Sequence, residues 1–489
     1  MVRKSKKIVR KGKRKNTTRK LMKKTIKRGG GQGSSSLAPP SKASSKVSSK
    51  ASSKVSSKGK KKSMSPIPEL STIKSVSPVS DILPIDNSTI IPDLSSIEKI
   101  EPFGPPSNNG FIHMIETNNG MNAILKSSQT LEQQEGYLMK PDNLMYEYLV
   151  GQYINRLNVR FPCFLQTYGL YKYSNDLTYQ KLMRSKNPSD VTSDDVKNIE
   201  KVSVNYKNLS ETLNIACRND QHMAILLQYL PNIESISSML EKNKLTERDI
   251  ITSLYQIYFV LNVLKNEFTH YDLHARNVQL YEVPEGNYIQ YQYHSLSGIV
   301  SFKSKYLVKI IDYSRCFFIK DKSFSSIIVK RELNDAKGCI TYEESDRDRP
   351  KPAGIDYGFQ WLTQEAPPKN KEEEEEQHFI NSTLLNMSHD LRLLQDIKTQ
   401  LESKDKIKQT SSLNKFLNHV YYKNKFGTPN QNKSIEGKKI VNVSNAEGGL
   451  NNIITKHEKY NQVPPETSVL LCTLNIYSDG RDMKMTLSA

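Results

Sequence analysis

Residues 268–281 read Phe-Thr-His-Tyr-Asp-Leu-His-Ala-Arg-Asn-Val-Gln-Leu-Tyr, which sets His270, Asp272, Leu273 and Asn277 in the spacing H-x-D-L-x-x-x-N. No other stretch restricts the fold as strongly, because four fixed positions recur by chance only about once per hundred thousand sites. Asp272 and Asn277 bring a carboxylate and a carboxamide onto one short loop. Downstream, Leu307-Val308-Lys309-Ile310-Ile311 is an apolar β-type run that ends in Asp312. A buried strand ending in Asp delivers a second carboxylate at its exit. Phosphoryl transfer needs this set: a carboxylate beside the attacking hydroxyl, and hard oxygen ligands for magnesium on the nucleotide phosphates.

The stretch resembles the catalytic loop of the protein-kinase-like superfamily. Three further features make residues from about 100 to about 400 similar to the serine/threonine protein kinases of large nucleocytoplasmic DNA viruses. They are a basic N-terminal tail, the run Tyr146-Glu147-Tyr148-Leu149-Val150-Gly151-Gln152-Tyr153-Ile154-Asn155, and His389-Asp390-Leu391-Arg392-Leu393-Leu394. The resemblance implies an α+β, two-lobed protein-kinase-like fold, with a small antiparallel β N-lobe and a mainly helical C-lobe. It implies ATP- and Mg2+-dependent transfer of the γ-phosphate to Ser/Thr hydroxyls of a protein substrate. Asp272 would accept or orient the hydroxyl proton, and Asn277 and Asp312 would hold Mg2+. Lys126, at the end of Ala123-Ile124-Leu125-Lys126, would contact the α- and β-phosphates, with Glu147 as its ion-pair partner and Glu132, Gln133 or Glu135 as stand-ins. Gly104 and Gly110 would be the remnant of a phosphate-cradling glycine loop, with the middle glycine missing and the spacing stretched. Backbone groups from Gln228 to Leu230 would read the adenine edge. His270 would brace the loop, and Asp390 would tie it down.

Departures from the pattern matter. Tyr271 replaces the arginine that normally meets a phosphorylated activation segment, so activity is expected not to need such a phosphate. His274 stands where serine/threonine kinases carry lysine, and Tyr313-Ser314 follows Asp312 in place of Phe-Gly. H-x-D-L-H is also similar to the aminoglycoside and choline phosphotransferases, which gives a small-molecule kinase of the same fold as the alternative. A pseudokinase scaffold with a polyanion-binding tail is a third reading, from a different class. Glu365-Ala366-Pro367-Pro368 is only distantly similar to the motif closing an activation segment, and Glu372 through Glu376 reads as a solvated acidic loop.

The net charge of +20 belongs to one end. Residues 1–62 hold 23 Lys or Arg and no acid, and 71 less these 23 leaves 48 basic against 51 acidic residues elsewhere. Residues 42–58 repeat Lys-x-Ser-Ser, too small and polar to offset ordering entropy, so 1–62 is expected to be a disordered tail. Its fitting partner is nucleic acid or another polyanion. With no aromatic interleaved, that binding would be non-specific and salt-sensitive. Residues 63–98 read as a Ser/Pro linker, 99–232 as the N-lobe with an insertion at 174–222, and 233–489 as the C-lobe with insertions. Five scattered cysteines without a C-x-x-C argue against a disulfide framework or a zinc site and for a reducing compartment. No stretch is long enough to span a bilayer, and the basic N-terminus lacks the apolar core of a secretory signal. The expected setting is intracellular: host cytoplasm or virion by the resemblance, or the nucleus through the tail.

Local pattern places strands at 111–115, 121–125, 162–171 and 224–230. Helices are expected from 144, capped by Asp142 or Asn143, over 233–240, and over 245–264 with Thr246 as N-cap. Ile250, Leu254, Ile257, Leu261 and Leu264 form one buried face of the last. Pro284-Glu285-Gly286-Asn287 reads as a hairpin turn, and no element is assigned beyond residue 400.

Overall fold

The computed structural model describes residues 94–104, 110–118, 120–128, 144–205, 209, 222–335, 357–360, 378–381, 385–403, 411–420 and 439–488. The expected disordered tail, most of the linker, the Asp142/Asn143 cap, Glu132, Gln133, Glu135, the 365–368 motif and the 372–376 acidic run lie outside them.

Strands β1 (Ile97–Pro102), β2 (Gly110–Thr117) and β3 (Asn122–Ser128) follow one another in antiparallel pairs. The first begins inside the expected linker. Helix α1 (Leu144–Asn158) leads to β4 (Thr167–Tyr173), α2 (Asp176–Arg184), α3 (Ser193–Val196), β5 (Ile199–Lys201) and β6 (Met223–Gln228). The six strands form one antiparallel sheet in the order β1-β2-β3-β6-β4-β5. The described part of 174–222 is therefore integral to this sheet: it adds the β5 edge and lays α2 across one face.

β6, Met-Ala-Ile-Leu-Leu-Gln, is buried along its whole length because both faces of the sheet are covered. Ile225 and Leu227 enter the main core with α1, whereas Ala224 and Leu226 join Tyr179 and Leu182 of α2 on the other side. α1 lies so close to the sheet that a side chain at Gly151 would collide with Thr167. Asn155 fastens the same point, its Nδ2 donating to the Thr167 carbonyl at 2.6 Å while its Oδ1 accepts from the Thr167 amide at 3.0 Å.

A short strand, β7 (Ile233–Ser235), precedes α4 (Ile236–Glu241), where helix was expected from residue 233. Ser235 and Glu234 explain the difference: the Ser235 hydroxyl caps α4, and β7 pairs with β9 (Val278–Glu282). Helix α5 (Glu247–Val263) starts at the expected cap, in a capping box between Thr246 and Asp249. It is buried all round from Asp249 to Leu261, not on one face. Its polar residues are anchors: Gln256 bridges the Tyr306 carbonyl and the Val308 amide at 3.1 and 3.0 Å.

Beyond it run β8 (Phe268–Thr269), β9 (Val278–Glu282), β10 (Asn287–Ser295), β11 (Gly298–Ser304), β12 (Tyr306–Ile310) and β13 (Phe317–Phe318). Then follow α6 (Ser326–Asp335), β14 (Tyr357–Gln360), β15 (His378–Asn381), α7 (Arg392–Glu402), α8 (Ser412–Asn418) and α9 (Val443–Lys456). The last strands are β16 (Val469–Tyr477) and β17 (Lys484–Leu487). The turn at 284–287 joins strands of different sheets, because β9 pairs with β7 and β12 while β10 pairs with β11 and, in parallel, with β16. The late chain is thus built into the body: β16 extends the β10–β11 hairpin, and α9 packs along α5. The fold is mixed α and β, with an antiparallel sheet and several helices. Among the described residues no helix is long and apolar enough to cross a membrane.

Lys309 of β12 is fully buried, with Nζ donating to the Phe164 carbonyl at 3.2 Å, and burial pushes its ammonium down to about 8. From about 8 up to the ordinary 10.5 the unfolded chain keeps a proton that the folded chain has released, so stability rises with pH through that window. Lys309→Met is expected to abolish this rise and to stabilise the fold at pH 7 by on the order of 1–3 kcal/mol. Urea unfolding midpoints from pH 7 to 10 test this; a variant less stable than wild type at pH 7 would show that the ammonium is favourably held.

Candidate active site

The 270–277 loop leaves β8 and enters β9, and the pairing of β9 with β12 decides what it meets. Val278 opposes Ile310, so Asn277 and Ile311 lie one step beyond the ladder, and the Ile311 amide donates to the Asn277 carbonyl at 3.0 Å. Asn277 therefore sits beside the end of the strand that presents Asp312.

His270 fixes this junction. Its Nδ1 accepts from the Asp272 amide at 3.3 Å, so Nε2 carries the proton and donates to the Ile311 carbonyl at 3.0 Å. The buried Asp390 carboxylate accepts the amides of His270 and Tyr271 at 2.8 and 3.0 Å. The Ala275 amide donates to Asp396 at 2.8 Å. Two residues here hold positive φ without being glycine, Tyr271 at 62° and Asp312 at 65°. Such backbone persists only where its surroundings over-determine it. Tyr271 packs against Phe317, Ile319 and Leu385 and against the His389 ring, with centroids 4.9 Å apart.

Lys126 reaches the same region from β3. Its Nζ donates to both Glu147 oxygens, at 2.8 and 2.6 Å, and lies 3.6 Å from Asp312 Oδ1. Glu147 is held in place by its neighbour: the Tyr146 hydroxyl donates to the Cys316 carbonyl at 2.5 Å and meets the Ser326 hydroxyl at 2.8 Å. Burial alone would lower the Lys126 ammonium, but Asp312 and Glu147 outweigh it and hold its pKa above the ordinary value. Burial would raise Asp312, yet Lys126, the Ser314 hydroxyl and Arg315 bring it down to about 2. Both groups stay charged at neutral pH.

Asp272 has company that the sequence does not announce. Arg392 Nη1 donates to its Oδ1 at 2.6 Å, Arg315 Nη1 lies 3.5 Å from Oδ2, and His274 Nε2 lies 3.9 Å from Oδ1. Burial favours the neutral acid, but Arg315, Arg392 and His274 together hold Asp272 below the usual carboxylate range, against the pull of Asp312. The available signal is the position of Arg392, two residues after the anchoring Asp390.

The expected glycines and hinge groups fare differently. Gly110 has φ 142°, and a Cβ there would collide with the Ser127 carbonyl of β3. Gly104 has φ 77° with open space around it. The Gln228 amide donates to the Gln166 carbonyl at 3.0 Å. Leu230 is buried. Cys163, Cys316 and Cys472 are buried free thiols; Cys217 and Cys339 lie outside the described residues. Among the described residues no three His, Cys, Asp or Glu side chains cluster as a metal site.

Asp390→Asn replaces an acceptor-only carboxylate by a group whose NH2 must face one of two amide donors. It is expected to destabilise the fold by about 1.5–3 kcal/mol, the usual worth of hydrogen bonds to a charged group. An unchanged urea midpoint would mean that the loop does not depend on this anchor.

Compared with protein-family models and with curated proteins, the chain matches none, so the reading of this site rests on its geometry.

Proposed function

We propose that this chain is a two-lobed, protein-kinase-like enzyme that transfers the γ-phosphate of ATP to Ser/Thr hydroxyls of proteins. The observation that carries the reading is the convergence of Lys126, Glu147 and Asp312 with the Asp272–Asn277 loop. A lysine locked by a helix carboxylate is a fixed positive charge for nucleotide phosphates. Asp272, held ionised, orients the acceptor hydroxyl, a positioning role suited to a loose transition state.

The donor set fits Mg2+. Asn277 Nδ2 is spent on the Asp272 carbonyl at 2.9 Å, which leaves the hard Oδ1 as the ligand atom, and Asp312 supplies a carboxylate. Two protein ligands suffice for an ion that takes its remaining oxygens from phosphate and water, so the lack of a three-residue cluster does not count against it. When bound, the ion would neutralise charge on the phosphates. The polyanion-binding role of residues 1–62 is likewise part of the proposal and rests on charge alone.

The deciding experiment follows labelled γ-phosphate from ATP with Mg2+ into a basic protein, an acidic protein and the enzyme itself, for wild type and Asp272→Asn. Protein labelling that falls by about a hundredfold or more in the variant is expected. Labelling confined to small hydroxyl compounds would replace the protein-kinase reading by the small-molecule one, and no transfer would leave a scaffold.

Tyr271 generates a second prediction. With an aromatic ring packed where an arginine would meet a phosphate, phosphatase treatment is expected to leave the transfer rate within about twofold. A collapse of activity that returns on rephosphorylation would sink this expectation.

A further inference from the structure

Arg392 stands 120 residues beyond Asp272 in sequence, yet its Nη1 donates to that carboxylate at 2.6 Å. Both side chains are largely withdrawn from water, 19% and 12% exposed, so the pair is little screened. Arg315 is farther off, at 3.5 Å from the other oxygen. His274, on the loop itself, approaches only to 3.9 Å. Arg276, two residues along, is exposed.

We propose that Arg392 is a positioning residue for the transfer reaction, fixing the Asp272 carboxylate from α7 by a hydrogen bond that the loop's own His274 is too far off to make. This rests on the phosphotransfer reading above. Arg392 opens α7, immediately after the turn that carries Asp390, and Asp396 follows one helical turn later. One short segment therefore grips the loop at the amides of 270 and 271, at the carboxylate of 272 and at the amide of 275. The geometry also says how the task can be moved. His274 is close enough to Asp272 for a lysine at that position to reach the same oxygen.

The test compares Arg392→Ala, Arg392→Lys, His274→Ala and the double variant Arg392→Ala/His274→Lys. The first readout is transfer to an acceptor protein that wild type labels. Arg392→Ala is expected to lower kcat by about tenfold to a hundredfold, with KM for ATP within about threefold. Arg392→Lys is expected to fall between it and wild type, and His274→Ala to lose less than Arg392→Ala. The double variant is expected to recover most of the loss, which a merely structural role for Arg392 would not allow.

The second readout needs no activity: carbodiimide coupling to Asp272, mapped by mass spectrometry. Asp272 is expected to be protected in wild type, exposed to coupling by about tenfold more in Arg392→Ala, and protected again in the double variant. If wild type transfers no phosphate, the kinase reading fails, while this pattern still decides whether Arg392 fixes the carboxylate. Should Arg392→Ala not fold, Arg392→Lys with and without His274→Lys gives the same comparison. Wild-type kcat and unchanged coupling in the Arg392 variants would overturn the inference, as would failure of the His274→Lys substitution to restore either readout.

Discussion

The Asp390 carboxylate is the interaction on which the rest of this structure turns. It accepts two successive amides, of His270 and Tyr271, inside the protein and away from solvent. Without it the loop would bury two unsatisfied donors next to a residue in the left-handed region. Asp390 is itself fastened, since the Tyr258 hydroxyl of α5 donates to its carbonyl at 2.8 Å. A loop defined by its own eight residues thus owes its shape to a segment more than a hundred positions later, and that segment to the central helix. The late chain is part of what shapes the site rather than an appendage to it.

The second constraint is electrostatic. Burying Lys126 with Glu147 and Asp312 brings a desolvation penalty that an apolar trio of the same volume would avoid. Such a cluster is weak support for stability, and its presence speaks for a task that needs fixed charge. The helix carrying Glu147 is positioned from three directions. Gly151 lets α1 settle against β4, Asn155 hydrogen-bonds the Thr167 backbone, and Tyr146 latches onto Cys316 and Ser326 beyond Asp312. The last of these ties the helix to the segment that follows Asp312, so both ion-pair partners of Lys126 are anchored in one hydrogen-bonded unit.

What the sequence made legible is what local pattern encodes. Asn-Asn-Gly turns mark β2 and β3, and an apolar run marks β6; Thr246 and Asp249 mark the start of α5; the spacing of His270, Asp272 and Asn277 marks the loop. Long-range pairing is not written in any window. Nothing near 469–477 says that this strand lies parallel to β10, and the turn at 284–287 looks the same whether its strands pair with each other or with others. Helix α5 reads as amphipathic because Gln256 and Asn262 interrupt its apolar run. In the fold those groups find the β12 backbone and Glu447, so polarity in sequence is not exposure in space. Gly110 has a structural reason that no local pattern announces, the close approach of the Ser127 carbonyl.

The company of Asp272 also bears on what a carboxylate there can do. Two guanidiniums and an imidazole near its oxygens stabilise the anion and weaken it as a base. In the proposed transfer this is no handicap. A loose transition state breaks the phosphate bond to the leaving group before the hydroxyl proton becomes strongly acidic, so strong basicity brings little, whereas a fixed acceptor of one hydrogen bond aligns the nucleophile. A general base tuned towards neutrality would have called for an apolar pocket without cations. The arrangement found here suits orientation, and it explains why the cationic partner of Asp272 comes from rigid helix α7 rather than from the loop: a group that sets direction needs a support that does not move with it.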